Sequence, residues 1–193
     1  VSKLLPEEKK KVAKPLLWIG MASIGMAFAG LTSGYVVSRS ALLSTGEWMV
    51  FSLPSAFTWA TATILASSIT MYLATRAIGK GQVSKTTAML VATLVLGILF
   101  TWFQVEGARQ LIKNGIFFTG PESNTAGSWV YAIAFFHILH LLGGLITLIV
   151  TAWKSALGKY SATEKLGVEL AAIYWHFLDV LWIYLFLFLV FIR

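Results

Sequence analysis

Seven side chains in this sequence are of types and at spacings that can hold a charge, pass a proton or take a ligand. Three lie in the apolar run from Glu169 to Phe186: Glu169, His176 and Asp179. Offsets of seven and three return them to nearly one helical stripe, because an α-helix repeats every 3.6 residues. Two more, His137 and His140, lie one turn apart in another apolar run. Glu106 and Arg109 follow a third, at a spacing that lets them pair with each other or grip a lipid head group.

The chemistry open to these groups is limited by what accompanies them. A pair of histidines at i and i+3 could ligate haem or copper, but with one further histidine and no cysteine in the chain the set falls short of such centres. A proton relay through Glu169, His176 and Asp179 is the stronger functional reading, since ionisable groups at membrane depth are functional candidates by default. The residues favour a structural network: a carboxylate at mid-bilayer costs about 2.5–3.5 kcal/mol to insert, so Asp179 calls for a buried partner. No Gly-rich phosphate loop, no nucleophile with a positioned base and no HExxH-type motif occurs, so no catalytic, cofactor-binding or metal residue is assigned.

The elements that must position these groups are transmembrane helices. With 58% apolar residues and only 12% charged, the 193-residue chain cannot coat a soluble globule. Five segments reach spanning length, about 16–37, 52–78, 87–105, 129–153 and 166–192, which predicts an all-α membrane protein built as one five-helix bundle. Residues 1–15 form a basic tail and 16–193 a single transmembrane domain; the first apolar run is too long for a signal-peptide core and reads as a retained span. The longest connection is expected between Glu106 and Ser128, broken at Asn114-Gly115 and Thr119-Gly120-Pro121.

Eleven Lys and Arg fall on the side of the N-terminal tail and four on the other, which predicts a cytoplasmic N-terminus and an outside C-terminus. The net charge of +7 belongs to this asymmetry; the basic residues are not clustered as nucleic-acid binding requires. Small-residue strips at spacings of three and four, such as Ser23, Ala27, Gly30 and Gly34, point to helix packing rather than a pore. The midpoints of the fourth and fifth spans fall near His140 and Asp179, so the two helices are expected to be neighbours joined by a His and Asp network, with Glu169 near the cytoplasmic interface.

At these residues the chain resembles subunit III of the haem-copper oxidase superfamily. Glu169 followed by Tyr174-Trp175-His176-Phe177-Leu178-Asp179-Val180-Leu181-Trp182 is close to that family's E…YWHFVDVVW, and Phe135-Phe136-His137-Ile138-Leu139-His140 with Gly143-Gly144 is similar to its preceding helix. Gly97–Gly107 resembles the family's G..F...Q..E, Ile64–Ser68 its ILxSS, and Trp18–Arg39 its first-span pattern. Two features depart from the family. The buried acid that commonly follows the first-span serine is absent, since Ile24 follows Ser23, and five spans stand where longer members have seven, as in the short bacterial form.

The resemblance implies a non-catalytic subunit of cytochrome c oxidase in the bacterial cytoplasmic (inner) membrane, serving aerobic respiration. Its expected partners are oxidase subunits I and II, membrane phospholipid and, in some bacteria, a quinol-oxidising complex in a supercomplex. Haem and copper are then expected in partner subunits and none on this chain. Any proton role that depends on the missing acid does not carry over. A subunit of a quinol oxidase or nitric oxide reductase is the nearest alternative; a small proton-coupled transporter predicts inverted repeats or broken helices, which the sequence lacks. A lipid-scaffold or assembly protein is the third alternative.

Overall fold

The computed structural model describes residues 6–192, with side chains from residue 11 onward. Lys3, Arg193 and the side chains of Lys9 and Lys10, all counted in the charge asymmetry, lie outside the described residues. Among the described residues the secondary structure is entirely helical: α1 Pro6–Leu43, α2 Ser55–Gly79, α3 Val83–Lys113, α4 Thr125–Ala156 and α5 Leu166–Phe191. All five are long and apolar enough to cross a bilayer.

The helices outrun the apolar segments because the backbone continues until a residue stops it. α1 is helical from Pro6, inside the expected tail, and passes through Pro15, which removes one backbone donor without ending the helix. α3 runs eight residues beyond its expected end at Val105, so Glu106 and Arg109 sit on a helix and not in a loop. It stops at Asn114-Gly115: Gly115 takes φ +75°, and the Ile116 and Gly115 amides donate back to the Leu111 and Ile112 carbonyls. The connection to α4 is correspondingly short. Asn124 caps α4, its side-chain oxygen accepting from the Gly127 amide at 2.6 Å.

α2, α3, α4 and α5 form an antiparallel four-helix core in which α2 packs on α3, α3 on α4, and α5 on both α2 and α4. α1 leans against α4 and α5 alone. At mid-height the core closes around Trp175, which is 1% exposed. A Cβ on Gly97 would fall 2.7 Å from the Trp175 ring, and one on Gly144 2.8 Å from Leu178, so these two glycines set how closely α3 and α4 approach α5. Indole N–H groups stitch α5 to α2: Trp175 Nε1 donates to Ser67 Oγ and Trp182 Nε1 to Thr61 Oγ1, each at 3.0 Å.

The small-residue strips meet different fates. Those of α2 and α3 face one another, with Thr70 and Thr93 hydroxyls 2.8 Å apart. In α1 only Gly34 packs within the chain, against the Trp129 ring, while Ser23, Ala27 and Gly30 face outward. Close approach needs a helix on that side, and among the described residues none lies there.

Candidate functional site: buried polar groups of the bundle

The titratable groups fall into separate places rather than one network. Glu169, in the first turn of α5, takes Lys14 of α1 at 2.7 Å and Lys165 at 3.7 Å, an ion-pair cluster that ties the start of α5 to α1. Nearly two turns further along α5, His176 and Asp179 turn the other way, toward α2. Ser68 Oγ and His176 Nδ1 are hydrogen-bonded at 2.8 Å, and Asp179 Oδ2 lies 3.6 Å from the same nitrogen. Asp179 is 2% exposed, and neither carboxylate oxygen has a direct hydrogen bond among the described residues. His176 therefore flanks a buried acid on one side, while its own side chain remains 37% exposed.

α4 and α5 do pack, but the joint is not a His and Asp pair. Tyr174 of α5 donates its hydroxyl to the His140 carbonyl at 3.1 Å, and the His140 ring bonds the Phe136 carbonyl of its own helix at 2.7 Å. His137 points into the core, with ring centroids of Phe28, Phe100 and Trp182 at 6.4, 6.0 and 5.2 Å. Neither of its ring nitrogens has a hydrogen-bond partner among the described residues. The reason is rotational: His137 and His140 project from α4 toward α1 and α3, while Asp179 projects from α5 toward α2.

Gln104 of α3 is a further buried polar group, 2% exposed. The contact of Gly97 with Leu145 and the bond of the Tyr131 hydroxyl to the Ala108 carbonyl fix the α3–α4 register, which sets Gln104 at about the height of His137. Its amide oxygen and nitrogen are also without partners. Replacing both groups by apolar side chains of similar volume removes the desolvation of two polar groups. The double variant Gln104→Leu, His137→Leu is expected to melt at the same temperature or higher. Detergent thermal denaturation checks this, and a drop of several degrees would show that the pair holds the fold together.

At the end of α3, Glu106 Oε2 stands 3.7 Å from Arg109, and Gln110 reaches Glu106 Oε1 at 3.5 Å. Arg109 also lines a hollow of about 320 Å³ with Ile98, Trp102 and Leu145. A larger hollow of about 560 Å³ lies between α1, α4 and α5, apolar along Leu17, Ile146 and Leu170 with Lys154 and Tyr160 at its polar edge. Tyr160 lies in the α4–α5 connection, and burial holds its phenol above the ordinary value, so Lys154 is the charged group of that edge. Among the described residues no three His, Asp or Glu side chains gather as a metal site.

The profile of the family described as cytochrome c oxidase subunit III matches residues 51–192, the whole of α2–α5. A probable cytochrome c oxidase subunit 3 of Nocardia farcinica is 31% identical over 186 residues, covering 92% of this chain and 86% of that protein. The probable subunit 3 of Mycobacterium tuberculosis is 30% identical over 182 residues with the same coverage. The cytochrome c oxidase subunit 3 of Synechocystis sp. is 31% identical over 162 residues, 83% of this chain and 67% of its own. Similarity of this extent accompanies five bilayer-length helices whose spine is the Glu169–Trp182 run, and on these grounds the chain belongs to the cytochrome c oxidase subunit III family of the haem-copper oxidases.

Proposed function

We propose that this multi-pass membrane protein works as the non-catalytic subunit III of a terminal cytochrome c oxidase in a bacterial cytoplasmic membrane. It packs on subunit I, with subunit II in the same complex, and sustains proton uptake while those subunits reduce O2. The observation that carries the reading is the family match over α2–α5. Haem and copper belong to the partners on this reading. Residues 1–15 form the cytoplasmic basic segment, and the remainder is one transmembrane domain with its C-terminus outside.

Phospholipid is the second component. Both hollows pair an apolar wall with one cation, Lys154 in the larger and Arg109 in the smaller, which suits acyl chains below an anionic head group. In the same reading Ser68, His176 and Asp179 brace α5 on α2, and Glu169 fixes α5 to α1.

The test is purification of the tagged chain from its native membrane in a mild detergent, with haem spectra and mass identification of its companions. A haem Soret band that co-elutes with the chain and is lost when the chain is stripped of its partners is the expected result. A chain that elutes without any haem-bearing companion, or that carries the Soret band by itself, overturns the reading.

A further inference from the structure

The α1 and α2 helices are consecutive in the chain, yet among the described residues their backbones do not approach one another. They flank a face of α5 that stays open: Ile173, His176, Val180 and Leu187 follow one another at helical spacing, and Val180 is 65% exposed. The α1–α2 connection joins the two flanks of this trough at one end, and Val180 and Leu187 stay exposed along the length between them. On the α1 flank, Gly25 and Ala29 line a hollow of about 260 Å³ with Phe177, Val180 and Tyr184; a Cβ on Gly25 would meet nothing within 4 Å.

Acyl chains satisfy Val180 and Leu187 but not His176. Its Nδ1 is engaged by Ser68 and faces the Asp179 carboxylate, and no hydrogen bond to Nε2 is formed among the described residues. A half-exposed imidazole backed by a buried acid, at a depth where lipid offers neither donor nor acceptor, needs a polar group from outside the chain. The small residues beside it allow a helix backbone to come close.

We propose that this trough seats one transmembrane helix of a partner oxidase subunit, carrying a hydroxyl or amide side chain that bonds the imidazole of His176. The inference rests on the subunit reading above and adds the face and the anchoring atom. Hydroxyl and amide groups both donate and accept, so the outward ring nitrogen of His176 is satisfied whether it donates or accepts.

The chain has no cysteine, so single cysteines can be placed without background. In the full complex in native membranes, Val180→Cys is labelled with a benzophenone maleimide and irradiated, with Val95→Cys on the outer face of α3 as the comparison. The expected result is an adduct with one segment of a companion subunit from position 180 and lipid adducts from position 95. Lipid adducts alone at both positions, or an adduct with a second copy of this chain at position 180, overturn the proposal while the haem-bearing companion still co-purifies. Loss of that companion from the unmodified complex overturns the subunit reading itself, and the proposal with it. A second measurement follows complex retained in detergent: the double variant His176→Leu, Asp179→Leu keeps the bundle but loses the anchor, and retention falls by roughly tenfold, as for a central interface contact. His176→Gln restores most of it; equal retention in all three proteins is the opposing result.

Discussion

Replacing Trp175 with alanine is expected to cost the bundle about 3–5 kcal/mol, as large-to-small changes do at fully buried aromatic positions. The site has little means of collapsing. Gly97 and Gly144 are already at contact distance from the indole and carry no side chain to swing into the space, and the helices on both sides are rigid rods. The change also removes the donor that Ser67 Oγ accepts at 3.0 Å, although that hydroxyl keeps its own bond to the Ile64 carbonyl. Trp175→Phe separates the two contributions: it keeps most of the volume, removes the N–H, and is expected to cost about 1 kcal/mol for the bond beyond the smaller packing loss. Denaturation in mixed detergent micelles, read by tryptophan fluorescence of the remaining seven indoles, gives both values. An alanine variant as stable as the phenylalanine one would mean that the three-helix contact at mid-height is not what holds α5 in place.

The second large effect is a change of sign between a single and a double substitution. His176→Leu alone leaves the Asp179 carboxyl buried without the imidazole beside it, and breaking a buried pair in this way costs about 3 kcal/mol, the low end of the usual range because the imidazole is half exposed. Adding Asp179→Leu removes the stranded acid and is expected to recover most of the loss, since a buried polar pair replaced by apolar residues is close to neutral. The pair is near enough to couple, so the double-mutant cycle should give an interaction energy well outside additivity. Ser68→Ala, which removes the hydroxyl bonded to the same ring, should fall between the two. A double variant less stable than His176→Leu would show that the carboxylate works through a partner other than the imidazole.

The expected and observed bundles agree in number and kind of element, and differ in where the helices end and in which faces meet. The apolar runs end where lipid contact ends, but helix ends are set by local stops such as Gly115 and Asn124, which lie several residues beyond the last apolar stretch. That is why Glu106 and Arg109 ride on α3. The polar groups show the same division more sharply. Counting residues along the spans set Asp179 and His140 at similar heights, and the contact of Gly144 with Leu178 gives α4 and α5 close to that register. Height says nothing of rotation about the helix axis, and Asp179 faces α2 while His140 faces Phe28 of α1 and His137 sits among Phe28, Phe100 and Trp182.

What the amino-acid order determined by itself is how many rods cross the bilayer, because hydropathy and length are properties of each segment alone. It also carried the run Glu169–Trp182, whose residue types mark the family without any knowledge of contacts. The tertiary structure decided the azimuth of every helix: that Ser68 and not a histidine of α4 stands against His176, that Gln104 and His137 are both turned into the core, and that α1 stands off α2 and leaves α5 bare between them. These follow from side-chain packing between segments far apart in the chain, around Trp175 and the two glycines that admit it. A periodicity of 3.6 residues names the side of a helix that must be covered, and only the assembled neighbours say by what.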